Sequence, residues 1–259
     1  MIKARQRPDV LFVQEPHVSQ FGLLPALIAA DLYFWLVRLE KPERWVEQAY
    51  WGELFAVSCD TVARSIGKLR PIINKARTRR CLHGRLVAGA NKYTLNPKGD
   101  SFMAGGSSKK LNNLDPPDPQ VFPISFIGVA KQLNAGVRVP ELAWFLCRLA
   151  WRVHINERKT GESGWGYFQS AAELARYCGV GSDSLRKFSA IAKNAGLVLV
   201  NVERKSIVIP PGPPERLLLA PFRSLEEKRK NGLNAVLEDP DCFWQYDYVE
   251  DQLDQLKRG

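Results

Sequence analysis

The chain has 259 residues, and 37 Lys and Arg side chains against 27 Asp and Glu give it a formal net charge of +10. Its 45% hydrophobic and 25% charged residues are typical of a folded globular protein and exclude general disorder. The five cysteines are odd in number and form no C-x-x-C pair, which argues against a disulfide scaffold and a zinc ribbon. The length predicts two domains.

The most apolar stretch, residues 21–39, is interrupted by Pro25, Asp31 and Arg38 and therefore predicts a buried helix rather than a membrane span. The first ten residues lack the apolar core and the cleavage site of a signal peptide. We therefore expect a cytoplasmic protein without membrane contact. A basic chain in that compartment makes nucleic acid the first partner to consider.

The positive charge is unevenly distributed along the chain. Residues 1–100 carry a net charge of +7 and residues 120–214 carry +6, whereas residues 101–119 are neutral and residues 215–259 carry −3. Positions 61–99 hold ten Lys and Arg residues and no acidic residue. A solvated face normally mixes both signs, so this run indicates a surface for a polyanion.

Composition also predicts the domain boundaries. The stretch GDSFMAGGSSKKLNNLDPPDPQ has the Gly, Ser, Asn and Pro content of a linker. We therefore predict a first domain at 1–100, a linker at 101–119, a second domain at 120–214 and an acidic helical segment at 215–259.

The two predicted domains contain a weak internal repeat. WGELFAVSCDTVARS (51–65) aligns with LARYCGVGSDSLRKF (174–188) at a constant offset of 123. Upstream, WLVRL (35–39) aligns with FLCRL (145–149) at an offset of 110. The second copy therefore has thirteen extra residues, which we place in the polar stretch 156–166.

Each copy predicts the same order of elements. An apolar helix, at about 23–39 or 139–154, precedes a short helix and a tight turn that is closed by Ser58 or Ser182. These serines can cap a third helix. Its predicted inward residues are Val62, Ile66 and Leu69 in the first copy, and Leu185, Phe188 and either Ile191 or Ala192 in the second. Its predicted outward residues are Thr61, Arg64, Ser65 and Lys68, then Ser184, Arg186 and Lys187.

Alternating segments follow each third helix. In the second copy, residues 198–210 read as a hairpin with Arg204 and Lys205 at its tip. In the first copy, residues 80–95 give a weaker hairpin signal. A basic cluster of Lys75, Arg77, Arg79 and Arg80 precedes it.

Helix, helix–turn–helix and β-hairpin is the layout of a winged helix. ELARYCGVGSDSLRKF and AKNAGLVLV resemble a winged-helix module, with an L-A-x-x-x-G-V run and a G-L-V that opens the wing. WGELFAVSCDTVARSIGKL followed by GANKYTLNP resembles the helix–turn–helix domains of plasmid and phage replication proteins. The first copy departs from this pattern, because it lacks the G-L-V and has Gly52 where an alanine is usual.

The resemblance implies a mainly α, α+β protein with two winged helices in tandem and a C-terminal helical tail, similar to plasmid replication initiators. A recognition helix reads base edges in the major groove, and the wing reaches phosphates. The candidate residues for duplex DNA are Thr61, Arg64, Ser65, Lys68, Arg70, Lys75, Arg77, Arg79, Arg80, Arg85, Lys92, Ser182, Ser184, Arg186, Lys187, Arg204 and Lys205.

Several alternatives stay open at this point. A transcriptional regulator would use the same chemistry, and winged helices also serve as dimerisation modules, so a homodimer or a protein-binding subunit remains an alternative. The three histidines have no metal-ligand spacing and no phosphate-binding loop is present, so we expect no enzymatic activity and no cofactor. The cysteines look like small buried apolar residues.

The acidic C-terminal segment leaves two interpretations open. Either it folds back on the second domain, or residues 238–259 dock on another protein through aromatic anchors. The candidate anchors are Phe243, Trp244, Tyr246 and Tyr248.

Overall fold

The computed structural model describes residues 10–13, 15–38, 41–77, 79–82, 85–88, 90–96, 121–133 and 135–230. These residues are mainly helical with small sheets, which confirms the predicted α+β class. The chain divides into two compact units, a first unit of residues 11–121 and a second unit of residues 1–10 and 122–259. The predicted linker and the segment 238–259 lie outside the described residues.

The first half of the chain alternates helices with short strands. Its elements are β1 (Val10–Phe12), α1 (Glu15–Phe21), α2 (Leu23–Tyr33), β2 (Arg44–Val46), α3 (Gln48–Phe55), α4 (Cys59–Lys68), β3 (Ile73–Ala76), β4 (Arg79–Leu82), β5 (Arg85–Ala88) and β6 (Asn91–Leu95). The predicted helix at 23–39 is too long as an α-helix. Regular α-helix ends at Tyr33, and Phe34–Arg38 form a single π-helical stretch.

Aromatic side chains and one buried carboxylate join the helices of the first unit. Trp51, Phe55 and Tyr93 are fully buried, and the Trp51 and Tyr93 rings meet edge to face at 5.1 Å. Asp31 of α2 accepts a hydrogen bond from the Trp51 indole at 2.9 Å. Burial raises the pKa of Asp31, and the Trp51 hydrogen bond opposes that rise. A polar contact therefore connects α2 to α3 inside an otherwise apolar core.

The second unit is built around one long helix. Its elements are β7 (Val121–Pro123), α5 (Ser125–Leu133), α6 (Val139–Thr160), β8 (Trp165–Tyr167), α7 (Ala171–Tyr177), α8 (Ser182–Asn194), β9 (Leu199–Asn201), β10 (Ser206–Val208), α9 (Pro213–Leu218) and α10 (Ala220–Lys230). Helix α6 extends six residues beyond the predicted end at 154 and stops at Gly161, whose φ of 77° favours glycine. Much of the predicted polar insertion is therefore helix.

The two units repeat one topology. In each, a helix leads through a short strand into a pair of helices and then into a hairpin. The sheets have the orders β2-β6-β3 and β8-β10-β9, so the strand before the helix pair is at one edge and the last strand is central. The sequence repeat is therefore accompanied by a repeat of strand order.

The turn between the paired helices is also the same in both units. The Val57 N–H donates to the Gly52 carbonyl at 2.9 Å, and the Val180 N–H donates to the Ala175 carbonyl at 2.9 Å. Ser58 caps α4 as predicted, because its Oγ accepts the Thr61 N–H at 3.2 Å. The predicted cap at Ser182 is wrong.

Gly181 occupies the N-cap of α8 and has no side chain to accept a bond, so Ser182 becomes the first helical residue. The repeat offset explains the difference, since Ser58 aligns with Gly181 rather than with Ser182.

The start of the acidic C-terminal segment packs on the second unit. The Phe222 ring lies 5.2 Å from Trp151 and 5.9 Å from Phe126. Arg223 donates to Glu157 at 2.6 Å and to Glu215 at 2.7 Å. The described start of the segment therefore folds back on the second unit. The four predicted aromatic anchors lie outside the described residues. None of the described helices is long and apolar enough to span a membrane.

Candidate nucleic-acid interface

Helix α4 presents cations on its solvent face. Val62, Ile66 and Leu69 are buried as predicted, and Arg64 and Lys68 are exposed. The Arg64 guanidinium donates to the Thr61 hydroxyl at 3.4 Å, and that hydroxyl lies 2.9 Å from the Ser58 hydroxyl. This chain of contacts orients a cation and a hydroxyl side by side near the N-terminus of the helix.

Ser65 does not belong to this face. The predicted outward position is wrong, because Ser65 is only 6% exposed. It follows Val62 by three residues and precedes Ile66, so it lies on the same side of the helix as these inward side chains. A small hydroxyl fits there, and it cannot reach a ligand on the solvent face.

Three cations lie between the end of α4 and the residue that follows β3. Arg70 and Arg77 are exposed, and Lys75 between them is half-buried. Burial lowers the pKa of Lys75, and the positive charges of Arg77 and Arg70 lower it further. The like charges are therefore close enough to repel one another, which creates a concentrated positive potential.

A long hairpin begins within this cluster. Its base is the β3–β6 pair, which aligns Ile73 with Leu95 and Ala76 with Lys92. Its outer part is the β4–β5 pair, which aligns Arg79 with Ala88 and Leu82 with Arg85. The predicted start at residue 80 is therefore seven residues late.

The predicted basic cluster lies within this hairpin rather than before it. Strand β3 includes Lys75, and strand β4 includes Arg79 and Arg80. Arg85 begins β5 on the returning arm. The side chains of Arg79, Arg80 and Arg85 and the tip residue His83 lie outside what the structure describes.

Lys92 has an acidic neighbour that the sequence did not reveal. Strand pairing places Trp45 opposite Lys92, and the Lys92 ammonium forms an ion pair with Glu43. The Trp45 indole donates to the same carboxylate at 2.6 Å. The hydrogen bond from Lys92 lowers the pKa of Glu43, with a further contribution from Trp45. Part of the Lys92 charge is therefore compensated within the protein.

Helix α8 is the counterpart of α4 in the second unit. Leu185, Phe188 and Ala192 are buried, which decides between the two predicted alternatives at the third position. Arg186 and Lys187 are exposed and Ser184 is half-buried. Asp183 lies 3.9 Å from Arg186, so this face carries an acid beside its cations.

The second hairpin confirms the predicted strands. Strands β9 and β10 align Leu199 with Val208 and Asn201 with Ser206. Its turn exposes Arg204 and Lys205, and the Asn201 side chain accepts the Arg204 N–H at 2.8 Å. Glu203 is exposed at the same turn. Both signs therefore meet at this tip.

Metal-ligating and cysteine side chains also have a defined placement in the described part of the chain. The described residues contain no group of His, Cys, Asp and Glu that could hold a metal ion. Cys147 and Cys178 are buried as predicted, and burial raises the pKa of the Cys178 thiol to about 12. Cys59 is exposed, so the prediction of a buried cysteine is wrong at the first residue of α4.

Comparison with known proteins gives no match. No family model, no curated protein sequence and no solved structure matches this chain. The function of this chain is therefore inferred from the geometry and charge of its own residues.

In the described part of the chain, five exposed large apolar side chains, on the sheets or in the turn next to them, are absent from the residues predicted from the sequence. They are Trp45, Trp165, Tyr167, Leu199 and Val202. Alternation in residues 198–210 predicted strands there but did not show which apolar residues face solvent. The signal that was available was the unusual pair of aromatic residues flanking Gly166.

Proposed function

We propose that this chain is a tandem winged-helix protein that binds duplex DNA. The observation that carries the proposal is the shared topology of the two units, in which a helix pair with a tight turn leads directly into an antiparallel hairpin. In a winged helix, the second helix of such a pair enters the major groove and the hairpin lies against the backbone. Helices α4 and α8 are the recognition helices in this proposal.

Surface chemistry supports the same assignment. Arg64 and Lys68 stand on the solvent face of α4, where guanidinium and ammonium groups can donate to base edges. Thr61 holds Arg64 at 3.4 Å and adds a hydroxyl. Arg186 and Lys187 have the equivalent role on α8.

Phosphate contacts come chiefly from the first unit. The cluster of Arg70, Lys75 and Arg77 repels itself in the free protein, so an anionic backbone relieves that repulsion on binding. The hairpin that contains Lys75 also includes Arg79 and Arg80 in β4 and Arg85 in β5. The second unit has Asp183 and Glu203 beside its cations, so we infer that it contributes less affinity.

The biological role we favour is replication initiation on a plasmid or another mobile element in the cytoplasm. The supporting feature is the resemblance of residues 51–69 and the following residues 89–97 to the helix–turn–helix domains of plasmid and phage replication proteins. A tandem of two reading modules suits repeated sites at an origin. No catalytic site is needed, because such a protein acts by binding. A transcriptional regulator would use the same surfaces, and the second experiment below separates the two roles.

The first experiment selects bound sequences from a random duplex pool and then measures affinity against salt concentration. We expect the double variant Arg70→Ala, Arg77→Ala to reduce the salt slope by about two, since each phosphate contact contributes about 0.9. The matched control is Arg138→Ala, a highly exposed arginine outside both helix pairs, which should leave the slope unchanged. Equal slopes for all three proteins would overturn DNA binding by the first unit.

The second experiment tests the biological role. A small circle containing the selected sequence is supplied with the protein in cells that cannot otherwise replicate it. Autonomous replication supports an initiator. Repression of an adjacent promoter without replication identifies a regulator instead.

A further inference from the structure

The sheet of the first unit presents one large aromatic side chain to solvent. Strand register aligns Trp45 of β2 with Lys92 of β6 and Ala76 of β3 in one row. Two residues further along β6, Thr94 aligns with Asn74 of β3 on the same side of the sheet. Trp45 is 47% exposed, and Asn74 and Ala76 are exposed as well. We call these five residues the tryptophan face.

The opposite side of this sheet is the core of the first unit. Val46, Ile73 and Tyr93 are buried there, and the Trp51 ring of α3 lies 5.1 Å from the Tyr93 ring. Directly opposite residues in antiparallel strands share a side of the sheet, and successive residues alternate between the two sides. The tryptophan face therefore points away from these buried side chains toward solvent.

The Trp45 ring is held by its edge. Its indole N–H donates to the Glu43 carboxylate at 2.6 Å, and the Lys92 ammonium forms an ion pair with the same carboxylate. The ammonium also lies 5.8 Å from the centre of the indole ring. Because its N–H is already bonded, the ring offers a ligand its π face. A ring that is already oriented also loses less conformational freedom when a ligand stacks on it.

The charge beside the tryptophan face is positive. Lys92 compensates Glu43, so that carboxylate does not act as an unpaired acid. At the other edge of the sheet, β3 ends at Ala76 and the exposed Arg77 follows. Neighbouring strands lie about 4.8 Å apart, so about 10 Å separate Trp45 from Ala76 across the row. A polymer that carries planar rings on an anionic backbone fits an indole and a cation placed in this way.

The composition of the tryptophan face argues against a protein partner. Trp45 is its one large apolar residue, and its neighbours are an alanine and three polar residues. The centre of a protein interface is rich in large apolar side chains and poor in charged ones. Here Lys92 stands directly opposite the tryptophan in the strand pairing.

We propose that the tryptophan face binds single-stranded nucleic acid by stacking an unpaired base on Trp45. Aromatic side chains beside a positively charged surface are the usual means of binding single strands, because every base has a π face. A duplex presents the edges of its bases in the grooves, so its paired bases cannot stack on this ring. The proposal goes beyond duplex binding by α4 and α8 and does not depend on it.

The test measures the affinity of the full chain for oligo(dT) of about 16 nucleotides and for an abasic oligomer of equal length and charge. Trp45→Ala should weaken oligo(dT) binding about 5- to 150-fold, which corresponds to about 1–3 kcal/mol for one stacked base. It should leave the affinity for the abasic oligomer unchanged, because that ligand has phosphates but no bases. Trp45→Phe should retain most of the affinity for oligo(dT), since its ring can still stack.

The matched control is Trp165→Ala, which removes a tryptophan that is 40% exposed on the sheet of the second unit and should leave oligo(dT) binding unchanged. Circular dichroism and the melting temperature check that each variant is folded, and duplex affinity is measured in parallel. An unchanged chain that does not bind oligo(dT) would overturn the proposal.

Three further results would also contradict stacking on Trp45. Equal losses for oligo(dT) and the abasic oligomer in Trp45→Ala would show that the ring does not contact a base. An equal loss for duplex DNA would place Trp45 in the duplex interface. Competition by polyglutamate with the same dependence on Trp45 would identify an acidic protein as the partner instead.

Discussion

Ala56 and Gly179 occupy the same position of the two helix pairs and share a left-handed backbone conformation, with φ of 52° and 65°. Their N–H groups donate to Glu53 and Arg176 carbonyls at 3.4 and 3.0 Å. Glycine adopts this conformation without steric cost, whereas alanine does not. The first unit therefore stores a local strain that the second unit avoids, although both make the same turn.

This difference predicts opposite effects of exchanging the two residues. Ala56→Gly should raise the free energy of unfolding by about 0.5–1 kcal/mol, because relief of strain exceeds the added entropy of the unfolded chain. Gly179→Ala should lower it by about 0.5–1 kcal/mol, since the added Cβ has room, 3.7 Å from Trp144, and the backbone strain of alanine exceeds the entropy that the unfolded chain loses. Urea unfolding measures both. Effects of the same sign would contradict this explanation.

Replacement of Gly52 by a larger residue should cause a steric clash at the same turn. A Cβ at this position would lie 2.9 Å from the Val57 carbonyl oxygen. That oxygen belongs to the backbone, so it cannot move away as the end of a flexible side chain could. Gly52→Ala should therefore destabilise the first unit by about 1–3 kcal/mol in thermal unfolding. The control is Gly67→Ala in α4, where nothing lies within 4 Å and the helix should gain up to about 1 kcal/mol.

Burial of His17 should make the folded protein less stable in mild acid. Burial lowers the pKa of this histidine from 6.5 to about 4. Between pH 6.5 and 4 the unfolded chain binds a proton that the folded chain does not, so stability falls by about 3 kcal/mol as the pH falls through this window. Above pH 6.5 both states are neutral and the effect is absent.

The check compares the pH dependence of unfolding in the unchanged protein and in His17→Gln. We expect a smaller slope in the variant between pH 6.5 and 4, even if its absolute stability differs. His154, whose pKa burial also lowers, retains a contribution of the same sign in both proteins. Identical slopes would show that His17 does not cause the loss.

The hydrogen bonds of Arg223 are expected to stabilise the packing of the C-terminal helices. It donates to Glu157 and Glu215, and Glu157 is only 12% exposed. Arg223→Met should lower the free energy of unfolding by about 1–2 kcal/mol, because a half-buried carboxylate loses its cation while solvent screens part of the cost. Arg138→Met removes an exposed pair with Glu141 and should cost less than about 0.5 kcal/mol. Equal costs would indicate that burial of Glu157 is unimportant.

If the chain binds DNA as proposed, substitutions of Arg64 and Ser65 should have different effects on the DNA sequences that it selects. Arg64→Ala should broaden the sequences recovered from a random duplex pool, with a loss of about 1–3 kcal/mol of discrimination at one position. Ser65→Ala should leave those sequences unchanged, because the hydroxyl is buried beneath the helix. A changed selection in Ser65→Ala would contradict the assignment of the solvent face.

The sequence predicted elements well where local pattern and turn chemistry agreed. The 198–210 hairpin has alternation on both sides of a polar turn, and its strands were found where expected. Ser58 was a correct cap because capping depends on neighbours three residues away. The first hairpin was placed late because INKA, the sequence of β3, has no alternation, and its strand character comes from pairing with β6.

The repeat, the excess of cations between residues 61 and 99 and the mainly helical class can be read from the order of the amino acids. The burial of Ser65, the compensation of Lys92 by Glu43 and the identity of the exposed apolar residues follow from the folded arrangement. Helix and turn formation depend on residues a few positions apart, whereas burial and charge compensation depend on neighbours that strand pairing and helix packing bring from distant parts of the chain.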